Sequence, residues 1–554
     1  MKRNTLTTAV LAGLTGIAGM ASVANAVNVN PDGLGQVLLF PYYTARGGND
    51  TLISIINTTD RGKAVKVRFI EAMNSREVLD FNLYMSPFDV WTAAVVATDA
   101  GGGKMVTTDT SCTVPYFTGR GNGVGEQEFL NFEYTGPVAP GSNFDAGPQG
   151  IERTASGYIE IIEMATMLPQ DGYFPLSGGG INTGNPAVVE WASKHVDGVP
   201  RSCATLERFW TSNVSANRWL QSADDGFGAN FGFDTERGAT GGLAGAASII
   251  NVQEGTMFSY NATAVDGFWL TGTGSHTNPG SIFPNLNNGT NTEAYTFVGA
   301  PNFLETTNWG LGVLALNATL TLDKLLNEYV TDADFGGRSE WVLTFPTKRF
   351  HADALGKGLP PVTAGNPIPP FTRTWHYSVT AAGAIRRSFG CEDISIEFWD
   401  REEQTTEIQA GPPIVSPPPP TPAPDLFQLC REANVVRFSS NGSVPDSTEI
   451  LGEPLREAPF GALSYTNFEL PFTSGWARFN LGTVPGSSPI AAAGTTTRLS
   501  PVSDEGRQAR GLPVIGFAVT TYTNAELEGG VLSNYGGTFT HRGTRAFVDS
   551  VVPQ

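Results

Sequence analysis

The stretch Gln36–Ala97 contains five short runs in succession: QVLLF (residues 36–40), LISII (52–56), VKVRF (65–69), LDFNL (79–83) and VWTAAVV (90–96). In VKVRF and LDFNL, apolar and polar residues alternate, which in a strand places one set in a core and the other in water. Gly, Asn, Asp and Pro lie between the runs, as turns require. The pattern predicts a mainly β fold, an antiparallel β-sandwich of the immunoglobulin-like or jelly-roll-like kind.

Similar runs recur downstream, so the β framework extends beyond the first hundred residues. Glu254-Gly255 separates two of them and predicts a hairpin. Three segments carry helical signals, and a few short helical excursions and long loops are therefore expected around the strands. The predicted strands lie at 159–161, 249–252, 257–260, 341–345, 394–398, 477–481 and 514–522, and the candidate helices at 186–195, 203–223 and 320–330.

The length of 554 residues exceeds what one ordinary core organises, and it predicts several regions. After a leader, we expect an N-terminal β-sandwich domain at 27–170, a helical and loop excursion at 171–240 and a second β-rich domain at 241–554. The segment 411–424 (GPPIVSPPPPTPAP) contains eight prolines. It is either an interdomain linker or, if Cys391 bonds Cys430, a surface loop inside the second domain.

The first 26 residues have the features of a secretory signal peptide. Basic Lys2 and Arg3 precede an uncharged, apolar stretch at 6–23, and Ala24-Asn25-Ala26 forms a small-residue cleavage motif. We expect cleavage between Ala26 and Val27. The alternative is an uncleaved membrane anchor, which the Thr, Gly and Ala content of the stretch disfavours. No later segment is expected to span a bilayer.

The net charge of −19 and the charged fraction of 16% bear on partners. A chain this acidic repels nucleic-acid backbones, so nucleic acid is excluded as a partner. Other envelope or extracellular proteins, glycans and a second copy of the chain stay open. The 65 glycines and 37 prolines favour strands joined by many turns over long helices.

The four cysteines, Cys112, Cys203, Cys391 and Cys430, agree with export to an oxidising compartment. None forms a CxxC pair, so a zinc site is disfavoured. Three disulfide connectivities are open, and pairing of sequence neighbours, Cys112 with Cys203 and Cys391 with Cys430, is favoured.

Motifs of enzymes and metal sites are scarce in this chain. The five histidines lack metal-ligand spacing, and there is no nucleophile elbow, P-loop or dinucleotide fingerprint. A non-enzymatic protein without a cofactor is therefore favoured. The weak calcium candidate is Asp332 and Asp334, but Gly336 and Leu343 stand where a calcium loop has oxygen ligands. A solvated acidic turn is the preferred interpretation.

The weak catalytic candidates are Asp400, Glu402 and Glu403, which follow the strand ending near Trp399. Paired carboxylates beside aromatic residues are what a glycosidase uses. The alternative is a charged strand terminus, which the large number of acids favours. The 10 Trp and 14 Tyr could form a sugar-stacking surface, or they could pack in cores and loops.

Four segments resemble those of a group of uncharacterised secreted proteins of Gram-negative bacteria. They are GQVLLFPYY (35–43), LYMSPFDVW (83–91), ASIINVQEGT (247–256) and WVLTFPTK (341–348). The resemblance covers most of the chain after the leader. It implies export and a β-rich fold, and it implies no catalytic residue.

These observations lead to one expectation and two alternatives. The expectation is an exported β-rich protein with a structural or interaction role at the cell envelope or outside the cell, either in the periplasm, at the surface or in the medium. The alternatives are a secreted polysaccharide-acting hydrolase and a non-catalytic carbohydrate-binding protein. A carboxylate pair in a deep aromatic cleft would favour the hydrolase, and an aromatic strip without such a pair would favour the binding protein.

Overall fold

The computed structural model describes twelve parts of the chain and defines the fold from them. The described residues are 26–117, 123–139, 141–168, 188–211, 219, 236–298, 303–405, 427–440, 444–455, 467–484, 496–527 and 531–550. The leader up to residue 25, the proline-rich segment 411–424 and most of the excursion 171–240 lie outside them. The predictions made for those segments stay predictions.

The first sixteen strands lie between residues 28 and 266. They are β1 Asn28–Val29, β2 Val37–Thr44, β3 Asn49–Asn57, β4 Lys63–Glu71, β5 Glu77–Met85, β6 Val90–Ala97, β7 Gly103–Thr107, β8 Cys112–Val114, β9 Gly125–Glu128, β10 Ser156–Met167, β11 His195–Val196, β12 Val199–Pro200, β13 Glu236–Arg237, β14 Leu243–Asn251, β15 Thr256–Asn261 and β16 Thr263–Asp266.

The following strands lie between residues 293 and 549. They are β17 Glu293–Val298, β18 Phe303–Asn308, β19 Thr321–Leu322, β20 Lys324–Val330, β21 Arg338–Thr344, β22 Trp375–Val379, β23 Ile385–Phe389, β24 Glu392–Asp393, β25 Ser395–Asp400, β26 Gln428–Leu429, β27 Ala433–Ser439, β28 Asn467–Glu469, β29 Ser474–Asn480, β30 Thr483–Val484, β31 Thr496–Thr497, β32 Arg507–Arg510, β33 Leu512–Pro513, β34 Ile515–Leu527, β35 Val531–Thr540, β36 Arg542–Thr544 and β37 Ala546–Asp549.

Helices are short and few in the described residues. The α-helices are α1 Val188–Ser193, α2 Cys203–Thr211, α3 Gly312–Leu320 and α4 Lys348–Ala352, and the 3-10 turns are Phe132–Tyr134, Ile151–Ala155 and Ala333–Phe335. Strands take 48% of the described residues and helices 9%, so this part of the protein is mainly β. None of the helices in this part of the chain is long and apolar enough to cross a lipid bilayer.

Four larger sheets organise these strands. Sheet I has the order β1-β16-β2-β10-β4-β5-β8, with β13 beside β10, and sheet II has the order β15-β14-β3-β6-β7-β9. Sheet III has the order β25-β29-β20-β36, and sheet IV has the order β28-β27-β21-β34-β35. Among the named pairs only β27 with β28 is parallel, so the sheets are essentially antiparallel.

The five runs of the opening stretch form β2 to β6, as the alternation predicts. Strands β14 and β16 follow residue 240 in sequence, yet β14 pairs with β3 and β16 with β2. Sheets I and II therefore take strands from both sides of the boundary expected between 27–170 and 241–554.

Two cores meet at sheet IV. Leu38, Ile55 and Val67 of sheets I and II share one core with Val342 of β21. The neighbouring residues Trp341 and Leu343 belong to a second core with sheet III. Because successive side chains of a strand point to opposite faces, β21 is buried on both sides.

The expectation that Lys66 and Arg68 face water is wrong. Both side chains are buried, since Arg68 forms ion pairs with Glu77 and Glu160, and Lys66 pairs with Asp80 at 2.9 Å. Charged groups tolerate burial only when they are paired and hydrogen-bonded, and the acids on adjacent strands supply those partners. Both faces of β4 are therefore buried: one face packs in the apolar core, and the other carries the ion-paired side chains.

The expectation of a helix at 320–330 is also wrong. Residues 324–330 form β20, which pairs along its length with β29, and the helix of this region is α3, ending at Leu320. Leu325 and Tyr329 are buried, so the apolar positions that suggest a helical repeat also fit one face of a strand.

The disulfides join Cys112 to Cys203 and Cys391 to Cys430, the connectivity of sequence neighbours. The first links β8 to the start of α2. The second closes a loop that contains the proline-rich segment in sequence, although the segment itself is outside the described residues.

Candidate binding cleft

A cleft opens where sheets III and IV separate at one end. Strand β36 pairs only with Lys324–Leu326 of β20, so among the described residues no strand pairs with the following part of β20 on that side. The cleft has a volume of about 910 Å³, which is within the range of ligand sites. It is lined by Leu326, Asn327, Glu328, Tyr329, Val330, Asp400, Arg401, Glu403, Gly475, Trp476, Thr520, Tyr522, Thr538, Phe539, Thr540, His541 and Arg542.

Large aromatic side chains are exposed along the sheet IV side. Tyr522 on β34 is 42% exposed and Phe539 on β35 is 51% exposed. Tyr535, which lies directly opposite Tyr522 in the β34–β35 pair, is 64% exposed. Along β34 and β35, apolar residues continue past the end of the second core. Among the described residues, no second layer of side chains covers Tyr522, Tyr535 and Phe539 there, and they stay exposed. Exposed apolar groups gathered in one place mark a contact surface.

On the sheet III side, two tryptophans form a stacked pair. The rings of Trp399 and Trp476 lie directly opposite on β25 and β29, with centroids 4.0 Å apart and planes 14° from parallel. The guanidinium of Arg478 lies 5.1 Å from the centre of the Trp399 ring and binds Glu397 at 2.7 Å. The stack and the ion pair hold the indole of Trp476 in a fixed orientation on the face of sheet III that points away from the second core, and Trp476 lines the cleft.

The three acids predicted as catalytic candidates lie on one turn at the end of β25. Asp400 and Glu403 line the cleft, and Glu402 is exposed next to them. Oδ1 of Asp400 accepts hydrogen bonds from the backbone N–H groups of Glu402 and Gln404, both at 2.8 Å. One carboxylate oxygen of Asp400 therefore caps its own turn.

Two titratable groups of the cleft have shifted pKa values: Tyr329, which is buried, and His541, which is half-buried. Burial and the nearby Asp400 carboxylate raise the pKa of Tyr329 to about 12. Burial lowers the pKa of His541 to about 4. Nε2 of His541 lies 3.0 Å from the Val342 carbonyl, and Nδ1 lies 3.1 Å from the Asn327 amide. A neutral imidazole that donates from Nε2 and accepts at Nδ1 satisfies both contacts.

The acidic turn predicted as a weak calcium site lies elsewhere. Asp332 precedes the 3-10 turn Ala333–Phe335, and its Oδ1 accepts a hydrogen bond from the Asp334 N–H at 2.9 Å. Gly336 follows in the left-handed conformation. In the described part of the chain, no three His, Cys, Asp or Glu side chains form a group that could hold a metal ion.

Sequence reasoning found Asp400 and Glu403 but missed Trp476, Phe539 and His541. The missed residues come from strands far apart in sequence, and their meeting depends on how sheets III and IV are paired. A local signal was present for the tryptophans. In SIEFWD (395–400) and SGWARFN (474–480), each Trp falls on the face that alternation assigns to Glu397 or Arg478 instead of the core.

A comparison of the chain with protein-family models, curated proteins and solved structures finds no match. The chain is therefore classified by its own structure: it is a mainly β protein with two disulfides and an aromatic cleft that is also lined by acids and arginines.

Proposed function

We propose that this chain is an exported, non-catalytic interaction protein that acts at the cell envelope or outside the cell and binds its partner in the aromatic cleft. The observation that carries the proposal is the exposure of Tyr522 and Phe539, which line the cleft, together with that of Tyr535 directly opposite Tyr522. Folding gains nothing from leaving such large apolar groups in water, whereas aromatic side chains are enriched where proteins meet partners.

Two further observations support the exported part of the proposal. Disulfides persist in oxidising compartments and are rare in the cytoplasm, and this chain has two. The basic, apolar and small-residue order of the first 26 residues is typical of a leader, and the resemblance to secreted Gram-negative proteins agrees.

Paired antiparallel sheets around shared cores favour the sandwich architecture, immunoglobulin-like or jelly-roll-like, for such a protein.

The second candidate is a polysaccharide-acting hydrolase, because Asp400 and Glu403 both line the cleft. A glycosidase places its two carboxyl groups on opposite sides of the scissile bond, about 5–9.5 Å apart. Here both acids stand on one turn, and Oδ1 of Asp400 is already bonded to two backbone N–H groups. This arrangement favours binding over hydrolysis.

Photo-cross-linking in the producing cell tests the proposal. A benzoylphenylalanine at position 539 should form an adduct that is absent when the same group replaces Phe88, an exposed aromatic residue between β5 and β6 that does not line the cleft. Cell fractionation of the same culture should recover the protein outside the cytoplasm. Equal adducts at both positions, or recovery in the cytoplasm with the first 26 residues intact, would overturn the proposal.

A further inference from the structure

We infer that the ligand of the cleft is a carbohydrate chain, with one sugar ring stacked on the indole of Trp476; the inference rests on the proposed function of the same cleft. Trp399 covers one face of that indole at 4.0 Å, and the sugar takes the opposite face. A pyranose ring presents C–H groups on its faces and hydroxyls around its rim. It therefore needs an aromatic platform with polar groups at the edge.

The polar groups of the cleft match that second requirement. Glu328 lies directly opposite Trp476 in the register of β20 and β29, and Arg542 lies directly opposite Leu326 in the register of β36 and β20. Because alternate residues of a strand share one face, the side chains of Glu328 and Arg542 leave sheet III on the same face as the Trp476 indole, and both residues line the cleft. Carboxylates accept and guanidinium groups donate, so neighbouring hydroxyls of one sugar ring can be bound from both sides. Acids and arginines in the same cleft also suit a neutral ligand better than a strongly charged one.

An extended peptide is the main competing ligand, and the strand edge in the cleft disfavours it. Strand addition needs free main-chain groups on an exposed edge. On β20, the N–H of Glu328 donates to its neighbour Asn327 at 2.9 Å, and the carbonyl of Glu328 accepts from Trp341 Nε1 at 3.1 Å. The N–H of Val330 donates to Ser339 Oγ at 2.9 Å. Side chains have already used the groups that an incoming strand would bind.

Titration calorimetry with neutral hexasaccharides tests the inference: cellohexaose, maltohexaose and chitohexaose are titrated into the full chain. At least one should bind, and Trp476→Ala should weaken binding at least about tenfold, the size expected for loss of aromatic stacking. Phe539→Ala provides a second test, because that side chain is half exposed and its removal leaves the core intact. The matched control is Phe88→Ala, which should bind as the wild type does.

The outcomes separate the ligand class from the site. Binding that Trp476→Ala and Phe539→Ala both leave unchanged overturns the inference. Failure of all three sugars, together with a polypeptide adduct at position 539 in the cross-linking experiment, overturns the carbohydrate but keeps the cleft as the interaction site. Failure of the sugars without any adduct at 539 removes both proposals.

Discussion

Arg153 illustrates how single buried charges are stabilised in this protein. Its guanidinium binds both oxygens of Glu71, at 2.7 and 2.9 Å, and both oxygens of Asp145, at 3.0 and 2.6 Å. All three side chains are fully buried. The planar fork of arginine matches two carboxylates at once, which a lysine ammonium does not do.

Replacing Arg153 should therefore be costly. Arg153→Ala removes the cation that Glu71 and Asp145 share and leaves Asp145 with the more distant Arg76, at 3.7 Å. We expect a loss of about 3–5 kcal/mol in unfolding free energy, measured by urea denaturation. Arg153→Lys should recover only part of it. The matched control is Lys104→Ala, because its ion pair with the exposed Glu126 is open to water and its removal should leave the midpoint nearly unchanged. Equal effects of the two alanine variants would contradict this account.

Glu340 predicts a pH dependence. Burial raises the pKa of Glu340 to about 7, although the N–H groups of Ile450 and Leu451 donate to its oxygens at 2.7 and 2.9 Å. A raised pKa means that the folded state binds the proton more tightly. The contribution of protonated Glu340 to the unfolding free energy is therefore fully present below pH 4.5. It is lost as the pH rises from 4.5 to about 7, and the loss is about 3 kcal/mol at most.

Comparison with Glu340→Gln isolates this contribution, since all other titrating groups cancel in the difference. The glutamine side chain keeps only one acceptor oxygen for the two N–H groups. The variant protein should therefore be less stable than the wild type at pH 4.5. The gap in unfolding free energy should narrow as the pH rises to 7, measured by denaturant unfolding at each pH. A gap that is constant across this range would contradict the raised pKa.

At the scale of elements, the Cys112–Cys203 disulfide fastens α2 to the edge of sheet I. Leu206 and Phe209 of α2 lie in one buried cluster with Tyr84 and Met167, and Trp219 stacks on Tyr84 with ring centroids 5.0 Å apart. The double variant Cys112→Ala, Cys203→Ala should lose about 2–5 kcal/mol. Amide exchange should accelerate most in α2, because a nine-residue helix is marginal without its tether.

The other disulfide provides the control for this experiment. Cys391→Ala with Cys430→Ala should accelerate exchange near β24 and β26, which pair beside that bond, and should leave α2 as it is. If both double variants loosen the same segment, the disulfides do not act locally.

The same scale shows what sequence could and could not predict. Strands β2 to β6 follow from alternation and turn residues, which are local properties. The error at β20 arose because LLNEY (325–329) fits a strand face and a helix face equally, and only pairing with β29 decides. Alternation alone predicts that Lys66 and Arg68 face water. That prediction fails because their ion-pair partners, Asp80 and Glu160, come from other strands and give no local signal. Of the cleft residues, the sequence singles out only Asp400 and Glu403, as weak catalytic candidates, since the aromatic wall depends on strands brought together by the fold.

At the scale of the whole molecule, sheet IV joins the two cores. Phe517 of β34 lies in the first core and stacks on Tyr260 of β15 with centroids 4.5 Å apart. Polar contacts reinforce the junction: Tyr42 Oη donates to Glu453 at 2.9 Å, and the N–H of Glu432 donates to the Ala72 carbonyl at 2.9 Å. A strand whose two faces serve different cores couples their stabilities.

We therefore expect the described parts of the protein to unfold as one cooperative unit in calorimetry. Phe517→Ala removes a buried ring from the first core, and Phe398→Ala removes one from the second. Each should cost about 3–5 kcal/mol and lower the temperature of one and the same transition. If the cores were independent, two transitions would be resolved, and each variant would shift only its own. That result would contradict the coupling through β21 and β34, because loss of packing on either side of sheet IV should be felt on the other.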